Sequence, residues 1–162
     1  MSNYKGPYNS LSQNAEPIYN QSNILGTVSQ SGGAPTGAII ERGSNANGEF
    51  VKYADGTMIC HIQKNLGSVV SFGSGTPTDP YRTSAINVTF PAFFTVTNDE
   101  RPRASLHPQI FSSNVAEQNV KATSSRPANN GENLGIVRVV RDNNNTAAND
   151  AWLSVTVIGR WY

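Results

Sequence analysis

Few side chains in this sequence could carry catalytic chemistry. Histidine occurs twice, at His61 and His107, and Cys60 is the single cysteine. The sequence has no G-x-S-x-G, H-E-x-x-H, P-loop or G-x-G-x-x-G motif. Glycoside hydrolysis stays open, because it needs just one pair of carboxylates at a suitable distance. The candidates lie in polar segments, where a solvated carboxylate is the simpler interpretation: Asp99, Glu100, Glu117, Glu132, Asp142 and Asp150. The sequence therefore predicts a protein that is not an enzyme.

Binding a ligand requires fewer specialised side chains than catalysis does, and suitable residues are present. A surface that recognises sugars pairs an exposed aromatic ring, which covers the apolar face of a pyranose, with fixed polar groups that read the hydroxyls. Aromatic rings are available at Tyr81, Trp152, Trp161 and Tyr162, although the tryptophans could instead be core or subunit-contact residues. The residues that we predict to bind carbohydrate are Asn98, Asp99, Arg101, Arg103, Arg138 and Trp152.

The composition argues against several other classes of protein. Lys and Arg number 12 against 11 Asp and Glu, so no net field attracts nucleic acid or an anionic membrane. No stretch approaches the ~18 apolar residues of a membrane helix, and the first residues lack the pattern of a signal peptide. Asp142 and the asparagines after it offer oxygen ligands for calcium, but the spacing matches no metal loop. We therefore predict no metal, no cofactor, no nucleic acid and no membrane insertion.

The elements that must position these residues are strands. Short apolar runs rich in Val, Ile, Phe and Thr alternate with turn residues about every ten positions, and no window has sustained helical apolar spacing. The sequence predicts an all-β fold, an antiparallel β-sandwich of about six to eight strands with an extended N-terminal arm. In AINVTFPAFFTV, Pro91 predicts a break, and Phe90, Phe93 and Phe94 are core candidates. In IVRVVR, Arg141 is expected to reach solvent at the strand end.

Two turn signals frame the stretch GSNANGEFVKYADGTMICH, residues 43–61. Asn47-Gly48 offers a left-handed pair, and Asp55-Gly56 is a second hairpin signal. We interpret Asp55 as a turn residue whose side chain bonds the local backbone, and Cys60 as a small buried apolar residue.

The first 36 residues form a separate unit in this prediction. They are polar, contain Gly and Pro throughout, and hold too few clustered apolar residues for a core. We interpret residues 1–36 as an anchoring arm and linker, and residues 37–162 as the β-sandwich domain. An arm of this kind is either a mobile terminus or a peptide that docks on another protein. The predicted anchors are its larger apolar residues, Tyr4, Tyr8, Ile18, Tyr19, Ile24 and Leu25.

Two motifs resemble a known class of protein. The block Asn23–Cys60, with GSNANGEFVKYADGTMIC, resembles a segment in tail-fibre and other fibre proteins of bacteriophages and gene transfer agents. The ending VTVIGRWY is similar to the AIGRW ending of many receptor-binding domains of such fibres. The region between them is similar in outline to H-type lectin domains, which are trimeric β-sandwiches that bind sugars.

The resemblance implies a subunit on the surface of a virion, made in the bacterial cytoplasm and released by lysis. Its C-terminal receptor-binding domain would attach to host-cell surface polysaccharide, as a homotrimer and without catalysis. The arm would hold it to other virion structural proteins. Because the arm is short for a fibre shaft, a head spike or baseplate position is open beside a tail fibre. The alternatives are a capsule-polysaccharide depolymerase, and a connector or decoration protein that holds another fibre component.

Overall fold

The prediction of an all-β protein is confirmed in a computed structural model, which describes residues 23–97, 100–110, 120–124, 131–141 and 146–162. These residues contain eleven strands: β1 (Gln30–Ser31), β2 (Ala34–Pro35), β3 (Ile40–Asn45), β4 (Gly48–Tyr53), β5 (Thr57–Ser68), β6 (Tyr81–Arg82), β7 (Ile86–Thr89), β8 (Arg103–Ile110), β9 (Val120–Ser124), β10 (Asn133–Arg141) and β11 (Asp150–Arg160). Strands β1, β2 and β6 are only two residues long. The other eight strands agree with the upper end of the prediction of about six to eight.

The strands form two main antiparallel sheets that share one core. The larger sheet has the order β3-β4-β5-β11-β8, and in the smaller one β10 pairs with β6, β7 and β9. Alternation along β5 and β11 directs one set of side chains inward, as in Met58, Cys60, Val155 and Val157 at 0% exposure. The smaller sheet contributes residues such as Val137 to the same cluster. Burial between the sheets is therefore what holds the sandwich together.

The two predicted hairpins form, although by different turn chemistry. Among the described residues positive φ occurs at glycines alone, so Asn47 and Gly48 are not a left-handed pair. Ala46 and Asn47 form the first turn, where the Asn45 Oδ1 accepts the Asn47 N–H at 2.9 Å. In the second turn the Asp55 Oδ1 accepts the Thr57 N–H at 2.8 Å, which confirms the turn role of Asp55. Here Gly56 takes the left-handed conformation, with φ of 91°.

Residues 24–36 of the predicted arm hydrogen-bond to the domain and to one another. Ile40 accepts the Gly26 N–H at 2.9 Å through its carbonyl, and the Ala38 N–H donates to the Thr27 carbonyl at 3.0 Å. Val28 is 5% exposed. The boundary between residues 36 and 37 stays a prediction. Ile24 and Leu25 are exposed, while the anchors Tyr4, Tyr8, Ile18 and Tyr19 lie outside the described residues.

Two predictions about single side chains are wrong. Phe93 is 69% exposed, because β7 ends at Thr89 and the bend at Pro91 breaks the strand alternation that would have turned Phe93 inward. Arg141 is fully buried instead of reaching solvent. Residue Ala147, in the segment leading to β11, accepts a hydrogen bond from the Arg141 Nη1 at 2.9 Å. The segment that leads to β11 therefore covers the end of β10, where the sequence predicts that Arg141 reaches solvent.

The C-terminal residues close on the β4–β5 hairpin. The Trp161 Nε1–H donates to the Tyr53 carbonyl at 2.8 Å, and the Trp161 N–H donates to the Gly56 carbonyl at 3.0 Å. The Lys52 Nζ lies 5.7 Å from the centre of the Trp161 ring. Gly56 leaves room for this ending, because a Cβ there would come within 2.5 Å of the Arg160 guanidinium. The last residues thus hold the β4–β5 hairpin in place.

Replacing Trp161 tests how much this closure contributes. Trp161→Ala should lower the free energy of unfolding by about 2–3 kcal/mol, less than the ~3–5 kcal/mol of a fully buried Trp because the ring is half-buried. Trp161→Phe keeps an aromatic ring but loses the Nε1–H, so it should lower the free energy of unfolding by about 1 kcal/mol. Urea unfolding measures both. A loss below about 0.5 kcal/mol in Trp161→Ala would show that the closure is not stabilising.

Cys60 gives a second test of the packing. Burial raises the pKa of its thiol from 9.0 to about 12, so the thiol is neutral and enclosed at pH 8. A thiol reagent such as DTNB should leave the native protein unmodified and label one thiol per chain in denaturant. Because the folded pKa is the higher one, the contribution of Cys60 to stability should be fully present below pH 9 and should be lost as pH rises towards 12. Rapid labelling of native protein at pH 8 would contradict the buried position.

Candidate functional site

The outer face of the five-stranded sheet carries side chains in rows across the strands. In antiparallel pairs, residues directly opposite one another project from the same face. The register therefore aligns one row with an arginine at each end, consisting of Arg42, Val51, Ile59, Ile158 and Arg103. The next row is polar and consists of Ser44, Glu49, His61, Thr156 and Ser105. The face thus places an apolar strip beside hydrogen-bonding groups.

A groove of about 330 Å³ lies at the β3–β4–β5 end of these two rows. Its floor is the half-buried pair Val51 and Ile59, with Gly43 and Phe50 at its edge. Its rim is polar and exposed, and consists of Arg42, Ser44, Glu49 and His61. The two tight hairpins set the register that brings residues from three strands to this one place. We call these eight residues the groove.

The rim side chains keep their hydrogen-bonding groups available for a ligand. Within the described part of the chain, none of the four side chains makes a hydrogen bond or an ion pair. Glu41, one residue before Arg42, differs: it accepts the Val28 N–H at 3.0 Å and lies 3.6 Å from the Lys52 Nζ. Arg42 supplies donors, Glu49 acceptors, and Ser44 and His61 can do both. Such a rim around an apolar floor can hold a small polar molecule that has one apolar face.

Two of the residues predicted to bind carbohydrate share this outer face, but at its opposite ends. Arg103 pairs with Ile158, and Trp152, 38% exposed, pairs with Gln109. Ile158 and Trp152 are six positions apart along β11, which corresponds to about 20 Å. Arg101 is exposed, two residues before β8.

The other predicted residues are elsewhere. Arg138 is exposed on β10, in the other sheet, and Asn98 and Asp99 lie outside the described residues. The described members of the set do not form one site, and each stays a prediction. The groove residues were missed because they were interpreted as parts of hairpins. The register that follows from the two turns could have revealed them, since it places Arg42, Glu49 and His61 on one face.

The described residues contain no group of three or more His, Cys, Asp or Glu side chains that could hold a metal ion. Asp142, considered for calcium from the sequence, is not among them. In the same ranges no helix is long and apolar enough to span a membrane.

No protein-family model and no curated protein matches the chain. It is similar to an N-truncated R1-type pyocin tail fibre, with 15% identity and a TM-score of 0.43 over 72% of this chain and 82% of that chain. It is also similar to a C-terminal part of the P. aeruginosa R1 pyocin fibre, with 15% identity and a TM-score of 0.48. That likeness covers 96% of this chain and 40% of the other, so the protein spans about two fifths of that fibre chain. Both of these similar chains are tail-fibre chains.

Proposed function

We propose that the protein is a fibre or spike subunit of a phage or phage-like particle, and that it binds host-cell surface polysaccharide without cleaving it. The observation that carries the binding part is the groove, where four polar side chains without partners in the described residues surround an apolar floor. The resemblance of the Asn23–Cys60 block and of the ending VTVIGRWY to fibre proteins supports the virion part.

The chemistry of the groove suits a sugar. A pyranose has hydroxyl groups around its edge and C–H groups on its faces, so it needs directional polar partners beside an apolar surface. Val51 and Ile59 provide the surface, and Arg42, Glu49 and His61 provide donors and acceptors. The volume, about 330 Å³, is at the lower end of the ~300–1,000 Å³ range of small-molecule sites. This size suits a short unit of a polysaccharide.

Assembly completes the proposal. The protein acts as a homotrimer at the virion surface, attached to other virion proteins through residues 1–36. With one cysteine the chain forms no internal disulfide, so its stability outside a cell rests on packing and association.

Groove variants test the binding site. On an array of purified bacterial capsular and O-antigen polysaccharides, the wild type should bind one group of glycans. Arg42→Ala and Glu49→Ala should each weaken that binding about tenfold or more, because each removes hydrogen bonds to the ligand. Glu100→Ala, an exposed carboxylate outside the groove, serves as the matched control. Groove variants that bind like the wild type would show that the groove is not the site. New reducing ends in the bound polysaccharide would identify a depolymerase instead.

The sequence-predicted residues have their own test on the same array. Trp152→Ala and Arg101→Ala should weaken glycan binding while the oligomer persists, if the Trp152 end of the sheet contacts sugar. Because Trp152 is about 20 Å from the row that contains the groove floor, its variants and the groove variants report on separate contacts. Normal binding by both variants would remove these two residues from the site.

Light scattering tests the assembly. A homotrimer has three times the 17.4 kDa mass of the chain. A monomer that binds no glycan would favour a connector protein, and co-purification with a virion partner that binds residues 1–36 would then establish that role.

A further inference from the structure

A second cavity, of about 320 Å³, lies beside the groove at the outer edge of β3. It shares Arg42 with the groove, so the two cavities meet at one side chain. We call this second cavity the edge cavity. The residues that line it are Leu25, Gly26, Thr27, Glu41 and Arg42, and the first four of them take no part in the groove.

The segment that carries Leu25 is fixed alongside β3 by backbone hydrogen bonds. The Ile40 N–H donates to the Ile24 carbonyl, and the Ile40 carbonyl accepts the Gly26 N–H, each at 2.9 Å. Leu25 thereby forms a parallel bridge with Ile40. Residues paired across strands share a face, and residues two apart along a strand do too, so Leu25 projects from the same face as Ile40 and Arg42. Leu25, at 59% exposure, is therefore a fixed apolar surface next to Arg42.

Polar groups of the edge cavity are available for a ligand. Within the described part of the chain, neither the Thr27 hydroxyl nor the Arg42 guanidinium makes a hydrogen bond or an ion pair. Successive residues of a strand direct their N–H and C=O groups to opposite sides in the plane of the sheet. Because Ile40 directs both groups toward the Leu25 segment, Arg42 directs its backbone groups toward that side as well. Together these groups offer donors and acceptors for sugar hydroxyls.

Glu41 holds the wall of the edge cavity in position. Its Oε2 accepts the Val28 N–H at 3.0 Å, and its Oε1 lies 3.6 Å from the Lys52 Nζ. The Thr27 carbonyl accepts the Ala38 N–H at 3.0 Å. Thr27 is thus tied to the domain on both sides, so a ligand meets a surface that is already formed, which lowers the entropic cost of binding.

We propose that the edge cavity is a second sugar subsite, so that the protein recognises at least two neighbouring sugar units of a polysaccharide. One unit lies in the groove, and the next lies against Leu25 and Thr27. Arg42 lies between the two units and donates to both, because its guanidinium has five N–H donors. This inference rests on the proposed glycan-binding function and adds the length of glycan that the site recognises.

A sugar unit fits the edge cavity better than a protein strand does. A peptide that extends a sheet needs a row of open backbone groups along the edge strand. The backbone groups of Ile40 are already bonded to Ile24 and Gly26, so the edge-directed groups of β3 that remain are those of Arg42 and Ser44. This row is short beside a common strand of about 5–6 residues. A small ligand needs just a few polar groups beside an apolar surface.

Glycan fragments of different length test the inference. The polysaccharide that binds the wild type most tightly on the array is cut with mild acid and separated into single sugars and two-unit fragments. Competition against the fluorescently labelled polysaccharide then measures the affinity of each fragment for the purified full chain. The wild type should bind a two-unit fragment at least about tenfold more tightly than any of its single sugars, because the second unit adds contacts.

Substitutions in the edge cavity locate the second unit. Thr27→Val removes the hydroxyl and keeps the shape, and Leu25→Ala removes the apolar surface. Each should weaken binding of the two-unit fragment about three- to tenfold and leave the affinity for single sugars within about twofold. Thr27→Ser keeps the hydroxyl and should bind like the wild type. Glu49→Ala, in the groove, should weaken binding of both lengths.

Matched controls come from exposed residues outside both cavities. Thr89→Val removes an exposed hydroxyl on β7, in the smaller sheet, and Phe72→Ala removes an apolar side chain that is 52% exposed. Both should bind every fragment normally. Circular dichroism of each variant confirms that the fold is intact.

The outcomes separate this inference from the function on which it rests. Equal affinity for single sugars and two-unit fragments would overturn the second subsite and leave the groove as a site for one sugar. Normal fragment binding by Thr27→Val and Leu25→Ala would also overturn it, and loss of a co-purifying virion protein in Leu25→Ala would then assign Leu25 to the anchor. A wild type that binds no polysaccharide on the array would overturn both proposals.

Discussion

The last strand, β11, lies between β5 and β8 in the larger sheet, and the rest of the structure depends on this pairing. β11 pairs with β5 along all its eleven residues and with β8 on its other side. Leu153, Val155 and Val157 are at most 1% exposed, so the strand supplies much of the core. Its partners in β5 precede it by roughly ninety residues, and closing so long a loop is entropically costly. In the described residues, β8 is therefore joined to β3, β4 and β5 through the C-terminal strand.

The closure of the C-terminus on the β4–β5 hairpin follows from this arrangement. The two segments on which the resemblance to fibre proteins rests are far apart in the sequence, yet they lie against each other here. Thr57 pairs with Arg160, and Trp161 donates to the carbonyls of Tyr53 and Gly56. The same hairpin carries five of the eight groove residues: Glu49, Phe50, Val51, Ile59 and His61. The end of the chain thus supports the surface that we propose for binding.

The sandwich presents two outer faces of different chemistry. One has a groove with an apolar floor and a mixed polar rim, and the other has cations beside one aromatic ring. Two packed sheets separate these faces by about 10 Å plus the side chains. The same few sugar units of a polymer therefore cannot contact both faces at once. Each face can be altered without disturbing the core that joins them.

The sequence by itself determined the fold class, most strand positions and the turn role of Asp55, because alternation and turn chemistry are local properties. In the sequence, Leu153, Val155 and Val157 also alternate with Trp152, Ser154 and Thr156, and the structure buries the first set. The tertiary structure alone decided that Arg141 is buried, that Phe93 is exposed, and that Arg42, Glu49 and His61 meet in a groove. It also decided that Arg138 lies apart from Trp152, in the other sheet. These outcomes depend on sheet order and on the path of connecting segments, which arise from contacts between residues distant in the sequence.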